Sequence, residues 1–301
     1  MFLIKGNSGC DITLLETHKY PVVKKSCSKN YASRLKKQSK KQKEFSDFLI
    51  KKNQTNITTP KVLDNHFEND ENYFVMEFFN GLDPMTFFEN SGKSSLKKFI
   101  EKIFDLLEIE ILACQEKDIT DEVLKKTKDT IANVRKNKFS KLTKKEVNDC
   151  EEVILKTCAN RIVVPVGMCH GDLTFSNMII DTHNDKICLI DFLDSFVETP
   201  FFDILKLRQD TSFLWTISMH GRIQNLTKIE LCCDFLDGEI HRNFVKFDWY
   251  ANNYRACQIL NMLRVDQYTS SDDIGLLVRK AIRKLLYGKN NSDNTGSRQI
   301  I

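Results

Sequence analysis

Asp172, Asn177 and Asp191 are the residues whose types and spacing point to chemistry. The stretch Cys169-His170-Gly171-Asp172-Leu173-Thr174-Phe175-Ser176-Asn177 is followed, 14 residues after Asn177, by Ile190-Asp191-Phe192-Leu193-Asp194. Phosphoryl transfer needs an acceptor hydroxyl placed in line and cations that bridge the phosphate oxygens. A carboxylate in a loop, Asp172, can orient the hydroxyl and take its proton. An amide oxygen five residues on, Asn177, can bind Mg²⁺, and so can a carboxylate at the end of a neighbouring strand, Asp191. Mg²⁺ prefers such hard oxygen ligands. His-Gly-Asp by itself fits any tight turn with the Asp as a helix cap. The combination with Asn177 and Ile190-Asp191-Phe192 is what makes coincidence improbable.

The elements around this constellation follow from patterning. Phe2-Leu3-Ile4 and Ile12-Thr13-Leu14-Leu15 flank a loop with Gly6 and Gly9, which reads as a hairpin with a glycine-bearing tip. Tyr20 to Lys25 reads as a third strand, and Tyr31 to Lys51 as a helix with Leu35, Gln38, Gln42, Phe45, Phe48 and Leu49 at helical spacing. Lys61-Val62-Leu63 and Asn72 to Phe78 read as two more strands. After Gly81 the pattern changes to long helices, beginning with Leu96 to Leu112. Thr143-x-x-Glu146 and Thr227-x-x-Glu230 read as capping boxes. Ser271 can cap a last helix that stops at Gly288. Between the helical blocks, Ile162-Val163-Val164 precedes a hairpin of 177–181 and 186–190. The expectation is an α+β, bilobal, protein-kinase-like fold. Its small β-rich N-terminal nucleotide-binding lobe spans 1–80. A larger helical catalytic and substrate lobe with the catalytic-loop β-hairpin spans 81–288, and a flexible tail spans 289–301.

The two motif segments resemble the aminoglycoside phosphotransferase and choline kinase superfamily, whose pattern is His-Gly-Asp-Leu-x-x-x-Asn followed by Ile-Asp-Phe/Trp-x-x-Asp. Both are present in full, and Gly171 stands where eukaryotic protein kinases usually have Arg. The resemblance is strong at 169–195 and weaker elsewhere. It implies an ATP- and Mg²⁺-dependent transfer of the γ-phosphoryl group to a hydroxyl of a small molecule, such as a sugar, an amino alcohol or an aminoglycoside-like compound. It implies Asp172 as base or hydroxyl orienter, Asn177 and Asp191 as Mg²⁺ ligands, and His170 packing beneath them in the catalytic loop. Asp194 would assist the metal or hold its loop. Asp203 resembles the buried aspartate that braces the catalytic loop. The Ser8-Gly9 tip would offer backbone N–H groups to the ATP phosphates.

A strand lysine should meet the α/β phosphates. Lys24 and Lys25 point to opposite faces of their strand, so one can serve. Lys25 is preferred because it leaves Val23 on the same face to floor the adenine site. Its acidic partner would be Glu44, 19 residues on, with Gln38 or Gln42 as neutral substitutes. Met76, Glu77 and Phe78 form the hinge, whose main chain would bind the adenine edge.

Composition bounds the alternatives. Among 301 residues, 45 Lys and Arg against 41 Asp and Glu leave a net charge of +4, too mild to argue for nucleic acid. Nine Lys or Arg and no acid lie between Lys24 and Lys43, which reads as a solvated helix face. No apolar run is long enough to span a membrane. The ten cysteines make no Cys-x-x-Cys pair and read as reduced, mostly buried thiols of a cytoplasmic protein. A Walker A loop is absent. No Ala-Pro-Glu follows Asp191, which argues against a protein kinase, and all three oxygen ligands argue against an inactive ATP-binding relative. Asp210, Asp234, Asp237, Glu239, Asp248 and Asp266 are available to a cationic acceptor, His241-Arg242 and Arg255 to an anionic one. The oligomeric state stays open.

Overall fold

The computed structural model describes residues 2–5, 10–16, 20–68, 71–219 and 223–288. Its first elements are strands β1 (Phe2–Lys5), β2 (Cys10–Glu16) and β3 (Pro21–Cys27). Helix α1 (Ala32–Lys51), the short β4 (Ile57–Thr58), β5 (Val62–Glu68) and β6 (Glu71–Glu77) follow. An antiparallel sheet forms in the order β1-β2-β3-β6-β5. Lys25 and Phe74 are cross-strand partners and therefore share a face. Helix α1 covers that face, where Leu35 clusters with Phe74 and Cys10. The helix buries Leu35, Gln38, Gln42, Phe45 and Leu49, as its spacing predicts. The loop tip with Ser8 and Gly9 lies outside the described residues.

The helical part begins with α2 (Pro84–Asn90) and α3 (Lys93–Ala113), then β7 (Gln115–Asp118), α4 (Thr120–Val134) and α5 (Lys144–Cys158). Strands β8 (Val163–Val166), β9 (Met178–Asp181) and β10 (Lys186–Leu189) come next. Helices α6 (Pro200–Phe213), α7 (Trp215–Met219), α8 (Leu226–Phe244), α9 (Asp248–Ala251), α10 (Tyr254–Asp266) and α11 (Asp272–Tyr287) complete the chain. The architecture is α+β: a small antiparallel sheet, then helices with a β-hairpin inserted. That hairpin is β9-β10, and β4 joins β10 in parallel on its other edge. Leu82 bridges Ile180 through bonds of 2.8 and 2.9 Å, an approach that requires Gly81. A Cβ at Gly81 would stand 2.7 Å from the Ile180 carbonyl oxygen.

The chain forms two compact units, Met1–Asp118 with Val163–Ala251, and Ile119–Ile162 with Asn252–Ile301. The expected lobe boundary at residue 80 lies inside the first. In that unit β7 pairs antiparallel with β8, with Asp118 opposite Val163, so the chain leaves and returns side by side. The second unit consists of α4, α5, α10 and α11. Its capping box forms as the spacing predicts: Thr143 Oγ1 accepts from the Glu146 N–H, and Glu146 accepts from the Thr143 N–H. Glu146 also meets Arg279 and Arg283 of α11. Ser271 caps α11.

The second expected capping box does not form. Asn225 is the N-cap of α8, its Oδ1 accepting from the Lys228 N–H at 3.0 Å. Asn is as good an N-cap as Thr, and it starts the helix two residues earlier than Thr227 would. All ten cysteines are free, and eight are buried. Among the described residues no helix is long and apolar enough to cross a membrane.

Candidate active site

The loop that carries Asp172 is held from below by α6. Asp203 is fully buried, and its carboxylate accepts N–H bonds from His170 at 2.6 Å, Gly171 at 2.8 Å and Leu173 at 3.3 Å. Asp210, two turns further along the same face of α6, accepts from the Phe175 N–H at 2.6 Å. Gly171 has φ +89°, and a Cβ there would sit 2.1 Å from the Leu193 carbonyl oxygen. The loop thus turns where only glycine fits.

His170 is fully buried. Its Nδ1 accepts the Asp172 N–H at 3.2 Å, which leaves Nε2 protonated to donate to the Ile190 carbonyl at 2.9 Å. Burial pushes the imidazole down to about 4, so it is neutral at physiological pH. The ring packs 4.4 Å from Phe192, which lies 4.9 Å from Phe45 of α1.

Asp172 meets two side chains. Asn177 Nδ2 donates to its Oδ2 at 3.1 Å and to its backbone carbonyl at 2.8 Å. Lys206 of α6 stands 3.1 Å from its Oδ1. Burial works against the carboxylate charge, but the Lys206 ammonium and the Asn177 amide outweigh it and hold the acid below its usual range. With 29% of its side chain accessible, Asp172 can still be reached by a small molecule. Lys206 is the participant that the sequence did not disclose.

Asp191 adopts φ +60°, a left-handed conformation that costs a non-glycine residue roughly 1–2 kcal/mol. Its Oδ1 is 2.6 Å from Lys25 Nζ. Lys25 is buried, and its second partner is Gln38 Oε1 at 3.1 Å. Glu44 does not take that place: its side chain is half exposed and pairs with Lys40, one turn away, at 3.6 Å. The neutral Gln38 stands there because it is on the buried face of α1, whereas Glu44 is on the face turned to solvent. Lys24 points the other way, over the Tyr73 ring at 3.9 Å. Asp194 turns to Lys37 of α1 at 2.6 Å, which ties its loop to that helix. In the hinge, Glu77 exchanges bonds with Lys61 through its N–H at 3.0 Å and its carboxylate at 3.1 Å. Met76 Sδ lies 3.6 Å from Gln42 Nε2, and the Phe78 ring is exposed.

The donor set fits Mg²⁺. With Nδ2 of Asn177 engaged by Asp172, its amide oxygen is left as an acceptor, and Asp191 keeps Oδ2 beside the Oδ1 that Lys25 holds. Both are hard oxygens, and Mg²⁺ at phosphate sites keeps one or two protein ligands with water and phosphate. Among the described residues no group of three or more His, Cys, Asp or Glu forms a metal cage.

The acids offered to a cationic acceptor are partly internal. Asp210 braces the loop, and Asp237 takes a bidentate pair of bonds from Arg208 at 2.7 and 3.0 Å. Asp266 is fully buried. Arg255, offered to an anionic acceptor, instead donates to the carbonyls of Leu285 and Leu286 at the end of α11.

No curated protein matches the chain in sequence. Solved structures do match it in fold. A protein from Haemophilus somnus assigned as a fructosamine-3-kinase aligns over 95% of this chain and 90% of its own, at TM-score 0.57 and 15% identity. An ethanolamine kinase of Plasmodium vivax aligns over 94% and 81%, at 0.52 and 15%. The aminoglycoside phosphotransferase APH(3'')-Id of Streptomyces rimosus, solved with ADP and streptomycin, aligns over 86% and 94%, at 0.52 and 16%. The model of the phosphotransferase enzyme family matches residues 22–224, from the third strand through the loop of Asp172 to just before α8. With two thirds of its length inside that match, and the motif residues gathered as described, the chain belongs to the phosphotransferase enzyme family.

Proposed function

We propose that the protein transfers the γ-phosphoryl group of ATP to a hydroxyl of a small molecule, with Asp172 as the base. The observation that carries this reading is the pairing of two carboxylates with two different partners. Asp172 is turned toward Asn177, and Asp191 toward the buried Lys25. One carboxylate is thereby kept ionised for a hydroxyl proton, and the other stands beside a cation suited to phosphate. Asp172 accepts the proton as the acceptor oxygen bonds to phosphorus and the bond to the ADP oxygen breaks. The proton then passes to solvent. Asn177 and Asp191 would hold Mg²⁺, which when bound neutralises the phosphate oxygens. Lys25 binds the α/β phosphates and the main chain of Glu77 to Phe79 the adenine edge. Phosphate contacts of Ser8 and Gly9 belong to the same proposal. His170 and Asp203 act by fixing the loop. Lys24, Glu44 and Asp194 are left without a role in binding ATP or metal.

ADP release is the test, measured with ATP and Mg²⁺ over a panel of sugars, amino alcohols and aminoglycosides. Asp172→Asn should lower the rate with the active acceptor by about 10²–10⁴-fold, the range of general base catalysis. Its melting temperature should stay close to that of the wild type. Wild-type turnover by this variant would reject Asp172 as the base.

A further inference from the structure

Three residues on one face of α6, at positions 203, 206 and 210, contact the loop of Asp172 in order. This is the i, i+3, i+7 spacing that puts side chains on one stripe. Asp203 takes the backbone N–H groups of His170, Gly171 and Leu173, and Asp210 takes that of Phe175. These two acids hold the loop through its main chain. Lys206 between them does something different: it reaches the side chain of Asp172, at 3.1 Å.

An ammonium has three N–H donors. Asp172 takes one, and Gln209 Oε1 lies 3.5 Å away, at the limit of a second. Among the described residues the third has no partner. Only 14% of the side chain is accessible. A charge with an open donor is thus held at the carboxylate where the acceptor hydroxyl must sit. That hydroxyl must come within about 3 Å of Asp172 for proton transfer. The incoming phosphorus must be within about 3.5 Å of the hydroxyl. A hydroxyl on Oδ1 therefore lies within about 6 Å of Lys206 Nζ, the sum of the two contacts around that oxygen. The flexible four-carbon stem covers the remainder.

We propose that Lys206 is a catalytic residue that grips the oxygens of the phosphoryl group in flight, supplying positive charge from the acceptor side. This rests on the phosphotransferase reading above and adds to it a residue that the motif does not contain. In the resting state the ammonium pairs with Asp172. As Asp172 accepts the hydroxyl proton its charge is lost, and the ammonium turns to the equatorial phosphoryl oxygens, over which the transition-state charge is spread.

The test compares ADP–Mg²⁺ binding with and without aluminium fluoride, a mimic of the phosphoryl group in flight, in the full chain. Transition-state mimics bind far more tightly than ground states. In the wild type, fluoride should tighten ADP binding at least about 100-fold, the low end for transition-state mimics. Lys206→Met should bind ADP–Mg²⁺ like the wild type but show no fluoride gain, and Lys206→Arg should keep part of it. Lys206→Gln, which can still hydrogen-bond Asp172 without a charge, makes the same comparison should the Met variant not fold. A full fluoride gain in Lys206→Met or Lys206→Gln would overturn the proposal while leaving the phosphotransferase reading intact. A lower melting temperature with that gain retained would mark Lys206 as purely structural. A wild type that binds no ADP–Mg²⁺ would remove both.

Discussion

Asp172 and His170 have their charge states set in opposite ways. Asp172 keeps its charge through the Lys206 ammonium and the Asn177 amide, against burial. His170 gives its charge up to burial, and this has a consequence for stability. Its ordinary value of 6.5 is lowered to about 4 in the fold. Between those values the unfolded chain takes up a proton that the folded chain refuses, so its contribution is full above pH 6.5 and is lost as pH falls toward 4. The shift amounts to on the order of 3 kcal/mol, at 1.36 kcal/mol per pH unit. His170→Asn should therefore destabilise most near neutral pH. The gap to the wild type in denaturant unfolding should shrink by about that amount on acidification to pH 4. A gap independent of pH would mean that folding does not shift the titration of His170. At this scale Asp172, Asn177 and Asp191 were legible because they lie within one loop and one hairpin. Lys206 was not, because α6 is buried around most of its circumference and no polar stripe reveals which face its lysine joins. Gln38 was legible only as a neutral option, since a pattern of apolar spacing does not say which polar residue a buried lysine will choose.

Among the elements, α1 is bound to the loop beyond Asp191 at three levels. Lys37 meets Asp194, Lys41 donates to the Leu193 carbonyl at 2.7 Å and pairs with Glu198, and Phe45 packs on Phe192. Lys25 joins the same helix, through Gln38, to Asp191. The position of α1 and the aim of Asp191 are therefore one mechanical question. Phe192 is its centre, buried between the α1 aromatic ring and His170. Phe192→Ala should cost about 3–5 kcal/mol in denaturant unfolding, the range for a large core deletion. Hydrogen exchange of the 190–195 amides should accelerate with it. Loss of stability without faster exchange there would show that the loop is held by the lysines alone. The basic stretch from Lys24 to Lys43 was expected to be solvated, and most of it is. Lys25 and Lys41 are the buried exceptions, because each has a carboxylate from the far side of the chain to meet. Strand β7 was not legible at all: Gln115-Glu116-Lys117-Asp118 has no apolar alternation and is a strand only because β8 pairs with it.

For the whole molecule, the described residues of the candidate site belong to the first unit. The second unit has its own anchor in Glu146, which closes the capping box of α5 and faces two arginines of α11. Glu146→Ala should lose about 2 kcal/mol of stability, combining a lost cap interaction with an unpaired arginine. ADP binding should stay within about 2-fold of the wild type at a temperature where the variant is folded, since a distant lesion usually acts independently. The sequence showed strands first and helices later, but not this division, because the two halves of the second unit are separated along the chain by Val163–Ala251 of the first. The crossing at β7 and β8 bears on the order in which the protein is made. All of the first unit has been synthesised once Ala251 is added, whereas α4 and α5 still lack α10 and α11, against which they pack. Through that interval the apolar faces of Val123, Ile131, Val147 and Ile154, buried in the finished protein, await their cover. A nascent chain in this state has its first unit complete and an unfinished partner, and it is the second that would need the help of a chaperone.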